Sequence, residues 1–212
     1  MARKKPKEKP DHIRVIFVEG DADEIILNGL VEYYRAKVKG FNKQIRIENT
    51  HGFPNEKKMS QGLKKIELCS NAPVVFDAVV CEYDTDIFVK GQQLKPEWRK
   101  VEKNLKDEYN VLHFCCVEAK TSIEDWMLDD KEGLLKALGL PLDTNLKGQY
   151  GQDKVKDLFR KKNIVYDRHK GREKIQPYLD KLDISKIREA RKKELKEFEK
   201  LLGVKGLDKK KK

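Results

Sequence analysis

The sequence predicts an α/β protein: a mainly parallel sheet of about four strands, covered by helices, followed by a helical C-terminal extension. Apolar runs of strand length alternate with amphipathic stretches of helix length up to about residue 140. Such alternation is typical of a parallel sheet whose connections cross over its faces. Beyond Pro141 only helical patterns follow, which indicates an extension rather than more sheet.

The individual elements follow from local patterns. Gly20 permits a tight turn, and Asn55 and Pro96 are residue types that often begin helices. The nearly continuous apolar character of residues 74–83 favours a central parallel strand, whereas the alternation in residues 44–49 favours an edge strand. The predicted strands lie at 13–18, 44–49, 74–83 and 111–117, and the predicted helices at about 21–38, 56–69, 96–109 and 123–138.

Composition divides the chain into four segments. Residues 1–11 carry five basic side chains and two prolines, which favours a flexible basic arm. Residues 12–140 form the predicted α/β domain and residues 141–204 the helical extension, while residues 205–212 form a charged tail that we expect to be disordered. Helical patterns within the extension lie near residues 153–162, 172–182 and 185–202.

The chain is strongly basic, with 47 Lys and Arg residues against 36 Asp and Glu residues and a formal net charge of +11. A basic exterior suits a polyanionic partner such as nucleic acid, either DNA or RNA. A Lys-rich protein without such a partner is the alternative interpretation.

The cysteine spacing, the lengths of the apolar runs and the N-terminal sequence argue against zinc-binding, membrane-spanning and secreted proteins. The four cysteines include no CxxC pair, so we expect free thiols and no structural zinc site. No apolar stretch approaches the ~18 residues of a membrane span. The basic N-terminus lacks the apolar core of a signal peptide. These features together predict a cytoplasmic protein with no membrane partner.

Carboxylates follow three of the four predicted strands. Since the carboxyl ends of parallel strands lie along one edge of a sheet, these acids are expected to converge there. Converging carboxylates repel one another unless cations bridge them, and Mg²⁺ or Mn²⁺ is the usual ion for oxygen ligands. The candidates are Glu19 and Asp23 after the first strand, Asp84 and Asp86 after the third, and Glu118 and Glu124 after the fourth.

Two of these motifs resemble the TOPRIM family, whose fold is a small Rossmann-like α/β domain. They are Glu19-Gly20 after the first strand and Asp84-Thr85-Asp86 after a later one. The segment Glu124-Asp125-Trp126-Met127-Leu128 is similar to the Glu-x-Trp-x-Leu helix start of RloB-like and related defence-associated TOPRIM proteins. The resemblance covers roughly residues 13–138. The chain lacks a tyrosine nucleophile domain and a zinc-binding domain, which argues against a topoisomerase or a primase.

The resemblance implies a metal-dependent nuclease like those of the overcoming-lysogenization-defect (OLD) type. Two divalent ions would stabilise attack on a phosphodiester and departure of its leaving oxygen. Glu19 would act as general acid or base, Asp84 and Asp86 as metal ligands, and Asp23 with Glu118 or Glu124 would complete the metal sites. The resemblance also implies a role in antiviral defence beside an ATPase partner.

Basic residues would hold the nucleic acid near these acids. Lys120 follows Glu118 closely and is the candidate to face the scissile phosphate, and Lys170, Arg172 and Lys174 precede or begin a helix of the extension.

Two other functions remain open: a non-catalytic nucleic-acid-binding or assembly subunit, and another phosphoryl- or nucleotidyl-transfer enzyme. The sequence does not choose between DNA and RNA. It also leaves the oligomeric state open, with a homo-oligomer among the options.

Overall fold

The structure is a computed structural model that describes residues 9–89, 91 and 94–207. In this part of the chain four strands form one sheet in the order β2-β1-β3-β4, and all neighbouring pairs are parallel. Helices lie on both faces of the sheet, so the predicted α/β class with a parallel sheet and C-terminal helices is confirmed. The strands are β1 (Asp11–Val18), β2 (Gln44–Asn49), β3 (Val74–Asp84) and β4 (Phe114–Ala119).

Five of the seven predicted helices begin and end close to their predicted bounds, and the short helix α3 forms where a loop or irregular segment was expected. The Asn55 side chain accepts a hydrogen bond from the Lys58 N–H and caps its helix as expected. The helices are α1 (Asp21–Lys37), α2 (Glu56–Cys69), α3 (Asp86–Val89), α4 (Trp98–Tyr109), α5 (Ile123–Met127), α6 (Lys131–Ala137), α7 (Gly151–Arg160), α8 (Arg172–Leu179), α9 (Ile184–Ala190) and α10 (Lys196–Leu202).

The two faces of the sheet are covered by different parts of the chain. Helices α2 and α4 cover one face, where Met59, Leu63 and Leu105 pack against Phe17 and Phe76 of the strands. The other face is covered by α1 and by helices of the C-terminal extension. Apolar side chains of α1, α5 to α10 and the sheet share this larger core, so the extension packs into the same core as the α/β segment.

The predicted helix at 123–138 is divided. Helix α5 passes into a 3-10 turn at Leu128–Asp130, and α6 begins after it. The buried Asp130 carboxylate accepts hydrogen bonds from the Gly133 N–H at 3.3 Å and the Asp183 N–H at 2.7 Å. An aspartate that caps a new helix start competes with continuation of the previous helix, which explains the break.

Other bounds differ by smaller amounts. Strand β1 begins at Asp11, inside the expected arm, because the Asp11 N–H donates to the Pro73 carbonyl at 2.8 Å and extends the ladder with β3. Strand β4 begins only at Phe114, and the predicted helix at 185–202 is divided into α9 and α10. The expected arm at 1–8 and the expected tail at 208–212 lie outside the described residues.

Within the described ranges, no helix is both long enough and apolar enough to cross a lipid bilayer.

Candidate functional site

Five carboxylate side chains meet at the C-terminal edge of the sheet, and we call them the acid cluster. Glu19 is the most exposed of them at 4%, and the other four have no exposed surface. They come from four places in the fold: the end of β1, the first turn of α1, the end of β3 and the first turn of α5. The members are Glu19, Asp23, Glu82, Asp84 and Glu124.

Strand register and backbone hydrogen bonds fix the cluster. Glu82 and Asp84 are two residues apart on β3, and this spacing places both side chains on the same face of the sheet. The Asp84 N–H donates to Glu19 Oε1 at 3.1 Å, which joins the ends of β1 and β3. Asp84 Oδ1 accepts the Ile123 N–H at 2.9 Å and thereby connects β3 to the start of α5.

Arg168 extends into the middle of the acid cluster from the loop between α7 and α8. Its Nη1 makes an ion pair with Asp84 Oδ2 and lies 3.9 Å from Glu124 Oε2. Its Nη2 lies 3.1 Å from Asp23 Oδ1 and 3.8 Å from Glu19 Oε2. Within the described part of the chain, Arg168 is the one side-chain cation in ion-pair contact with these carboxylates.

The loop that carries Arg168 is held against the start of α1. The Ala22 N–H donates to the Arg168 carbonyl oxygen at 3.1 Å. Gly20 lies so close to this loop that an added Cβ would be 2.6 Å from the same oxygen. The glycine of the Glu19-Gly20 turn is therefore required for this close approach of two backbones.

Burial makes the acid cluster electrostatically unusual. It raises the pKa of Glu19 to about 7, an effect that Arg168 opposes and Asp23 reinforces. Burial likewise raises the pKa of Asp23, and raises those of Glu82 and Asp84 well above their ordinary values. Burial alone would lower the pKa of Arg168, but the surrounding carboxylates more than offset this and raise it. The guanidinium is therefore charged, and the excess of carboxylates must be neutralised by protons or by further cations.

Three of the five acids could together bind one divalent ion. Asp23, Glu82 and Asp84 each offer one oxygen, and these oxygens lie within 4.8 Å of one another. Opposite oxygen ligands are roughly 4 Å apart around Mg²⁺ and roughly 5 Å apart around Ca²⁺. The 4.8 Å limit is therefore within the span of one Ca²⁺ ion, and one Mg²⁺ ion could contact all three residues after the side chains move slightly closer. Among the described residues, neither oxygen of Glu82 has a hydrogen-bond partner, although both are buried. Buried carboxylate oxygens without a partner are costly, and either an ion or a proton would relieve the cost.

Glu118 and Lys120 are sequence-predicted site residues that lie outside the acid cluster. Glu118 pairs in register with Tyr83, so its side chain lies on the opposite face of the sheet from Glu82 and Asp84. There it accepts hydrogen bonds from the Tyr83 hydroxyl at 2.6 Å and from Lys95 Nζ at 2.8 Å, and 42% of its side chain is exposed. Lys120 lines a cavity together with Glu118 and Glu194.

Asp86 lies beside the acid cluster rather than within it. It begins α3 and is partly buried, and its N–H donates to the Thr121 carbonyl at 3.2 Å. Its charge contributes to the raised pKa of Glu19, so the two carboxylates lie near each other.

The three predicted nucleic-acid contacts follow Arg168 along the chain. Lys170 and Lys174 are exposed. Arg172 instead makes an ion pair with Glu24 of α1, and its N–H donates to Asp21 Oδ2 at 3.1 Å. Arg172 therefore helps to hold the start of α8 against α1.

The sequence interpretation missed three residues of this site. Glu82 lies within the predicted third strand, two residues before Asp84. Because alternate residues of a strand share a face, this spacing was the signal that could have identified Glu82. Arg168 and Tyr166, whose hydroxyl donates to Glu124 Oε1 at 3.0 Å, come from the extension and carry no local motif.

Fold and site together define a parallel α/β protein with a buried, arginine-bridged carboxylate centre at the C-terminal edge of its sheet. Comparisons with protein-family models, with curated proteins and with solved structures find no match to the chain.

Proposed function

We propose that the protein is a Mg²⁺-dependent nuclease of the TOPRIM type that cleaves nucleic-acid phosphodiesters. The observation that carries this proposal is the convergence of five buried carboxylates on one edge of a parallel sheet, with a Glu82 carboxylate that lacks any described hydrogen-bond partner. Ligands bind at this edge in parallel α/β folds. Oxygen-only donor sets of this kind suit Mg²⁺ or Mn²⁺.

Asp23, Glu82 and Asp84 would hold the ion, since their oxygens lie closest together. A bound divalent ion supplies Lewis-acid stabilisation of charge on a phosphoryl group and lowers the pKa of water. Glu19 would exchange a proton with the reacting oxygens, because it is the most exposed of the five acids and because its pKa in the ion-free protein, about 7, lies close to neutral pH. Asp86, nearby and less buried, would extend this acidic surface toward substrate.

Basic residues around the cluster would bind the phosphate backbone. Lys170 and Lys174 are exposed and follow Arg168 by two and six residues along the chain, and they would supply these contacts. A cytoplasmic location, an ATPase partner and a role in antiviral defence also belong to this proposal. They rest on the sequence and on its resemblance to defence-associated TOPRIM proteins.

A cleavage assay tests the proposal. Purified protein is incubated with single- and double-stranded DNA and RNA in Mg²⁺, in Mn²⁺ and in EDTA. Wild type should cleave only with a divalent ion, and Glu19→Gln should reduce cleavage roughly 10²–10⁴-fold, the range typical of a lost general acid or base. Asp84→Asn should also abolish cleavage. Asp107→Asn makes the same chemical change at an exposed position on α4 and should leave cleavage unchanged.

Equal cleavage by wild type, Glu19→Gln and Asp84→Asn would defeat the proposed site. Cleavage that persists in EDTA would defeat its metal dependence.

The burial of the acids favours a second candidate function, a non-catalytic nucleic-acid-binding subunit with this fold. Four of the five acids have no exposed surface, and Arg168 already offsets part of their charge. Such a subunit would bind DNA or RNA equally well in Mg²⁺ and in EDTA and would cleave neither. Binding measured by fluorescence anisotropy beside the cleavage assay distinguishes the two functions.

A further inference from the structure

We propose that Arg168 occupies the place of a second metal ion, so that the acid cluster binds one divalent ion instead of the two expected from the sequence. The inference rests on the proposed function to the extent that the cluster binds a divalent ion. It adds a prediction of how many ions bind and of which residue limits that number.

Arg168 engages the carboxylates that a second ion would need. Its two terminal nitrogens contact acids from α1, β3, α5 and the end of β1. The distances from nitrogen to carboxylate oxygen are 3.1 to 3.9 Å, except in the shorter ion pair with Asp84. Nη2 lies 3.1 and 3.4 Å from the two oxygens of Asp23, so both oxygens face the guanidinium. A second divalent ion would have to displace this guanidinium from Glu19 and Glu124 as well as from Asp23 and Asp84.

The two oxygens of Glu82 leave room for one ion. Asp84 Oδ1 accepts the Ile123 N–H, and Glu19 Oε1 accepts the Asp84 N–H. The Glu82 carboxylate is fully buried and has no hydrogen-bond partner among the described residues. One of its oxygens lies within 4.8 Å of an oxygen of Asp23 and of an oxygen of Asp84. One ion contacting these three residues would satisfy Glu82, and it would share at least one oxygen of Asp23 with Arg168, because both oxygens of that carboxylate already face the guanidinium.

Arg168 is held firmly enough for this role. Its side chain is only 7% exposed, and its carbonyl oxygen is bonded to the start of α1. Gly20 permits the loop to pack without a gap. The guanidinium is therefore part of the folded core and differs from a surface side chain that an incoming ion could displace into solvent.

Ion counting tests the inference directly, with Mn²⁺ as the probe. Isothermal titration calorimetry gives the number of ions per chain, and electron paramagnetic resonance of the Mn²⁺-loaded protein detects the coupling between two neighbouring ions. Wild type should bind one ion and show no such coupling. Arg168→Met should bind two coupled ions, because it frees the carboxylate oxygens that the guanidinium occupies in wild type.

Two further variants control for structural damage. Arg168→Lys keeps a cation and should bind one ion. Arg188→Met makes the same change at another buried arginine, which pairs with Glu199 at 2.7 Å, and it should also bind one ion. If Arg168→Met does not fold, as circular dichroism would reveal, the counts for wild type and Arg168→Lys decide.

Each outcome has a distinct meaning. Two coupled ions in wild type, both lost in Asp84→Asn, would overturn the role of Arg168 and leave the proposed function intact. No ion in wild type would overturn the inference and the metal dependence of the proposed function together. One ion in a folded Arg168→Met protein would overturn the claim that Arg168 excludes the second.

Discussion

Replacing Glu19 with glutamine should make the ion-free protein more stable at alkaline pH than wild type, although it removes an ion-pair partner of Arg168. Glutamine mimics the protonated carboxyl, and its amide oxygen can still accept the Asp84 N–H that now donates to Glu19 at 3.1 Å. The substitution therefore removes the cost of ionising a buried carboxyl and keeps the backbone contact.

The sign of this stability change depends on whether the folded protein or the unfolded chain binds the proton of Glu19 more tightly. Burial raises the pKa of Glu19 from its ordinary value of 4.5 to about 7, so between these pH values the folded protein holds a proton that the unfolded chain has lost. The stability that this proton contributes is fully present below pH 4.5 and is lost as pH rises through 7. The raised pKa values of Asp23, Glu82 and Asp84 act in the same direction.

The magnitude is measurable. A tenfold difference in proton affinity corresponds to about 1.4 kcal/mol. From pH 5 to pH 8, Glu19 alone should therefore lower the free energy of unfolding by roughly 2 to 3 kcal/mol. The acids with lowered pKa values, such as Asp167 and Asp183, contribute stability that is lost only at lower pH and should not mask this trend.

Urea denaturation in EDTA at pH 5 and pH 8, followed by circular dichroism, provides the measurement. Wild type and Glu19→Gln should have similar stabilities at pH 5, and the variant should be more stable by roughly 2 kcal/mol at pH 8. Asp107→Asn should follow the wild-type trend. A variant whose stability changes with pH as steeply as that of wild type would refute the assignment of the proton to Glu19.

Three other substitutions test single contacts of the fold. Tyr166→Phe should lower the free energy of unfolding by about 1–3 kcal/mol in urea denaturation, because it leaves a buried oxygen of Glu124 without its donor at 3.0 Å; an unchanged midpoint would contradict that bond. Gly20→Ala should cost roughly 1–3 kcal/mol in thermal unfolding, since the new Cβ would lie 2.6 Å from a carbonyl oxygen; a neutral effect would mean that the loop yields freely. Asn55→Ala should cost about 1 kcal/mol by loss of the α2 cap, whereas Asn55→Asp should retain most of the stability, and equal losses would argue against capping.

The convergence of acids could be predicted because it depends on one regularity. In a parallel sheet the ends of β1 and β3 lie at the same edge, so Glu19 and Asp84 meet wherever the strands are assigned correctly. Asp23 follows from the helix that begins directly after β1. The apolar runs that define these strands are fully buried, which is why their signal in the sequence is strong.

The position of Glu118 could not be predicted because it depends on register. Pairing Glu118 with Tyr83 places it on the α2 and α4 face, whereas a shift of one residue would bring it beside Asp84. Local patterns specify that β4 is a strand but not which residue of β3 it faces. The division of the 123–138 helix has a similar origin, since the partners of Asp130 include the distant Asp183.

Arg168 was inaccessible to sequence reasoning for a different reason. It lies 145 residues from Asp23 in the chain, in a loop whose local sequence resembles an ordinary charged surface segment. Only the packing of α7 and α8 against α1 and α5 brings it to the acids.

The origin of Arg168 in the extension also determines how the chain can be divided. A truncation near residue 140, where composition marks a boundary, would retain all five acids and remove the guanidinium that lies among them. It would also uncover the apolar side of α1 that packs on α8 and α9. We therefore expect the N-terminal portion not to be an autonomous folding unit, and the C-terminal helices to be as necessary for assembling the carboxylate centre as the strands that carry it.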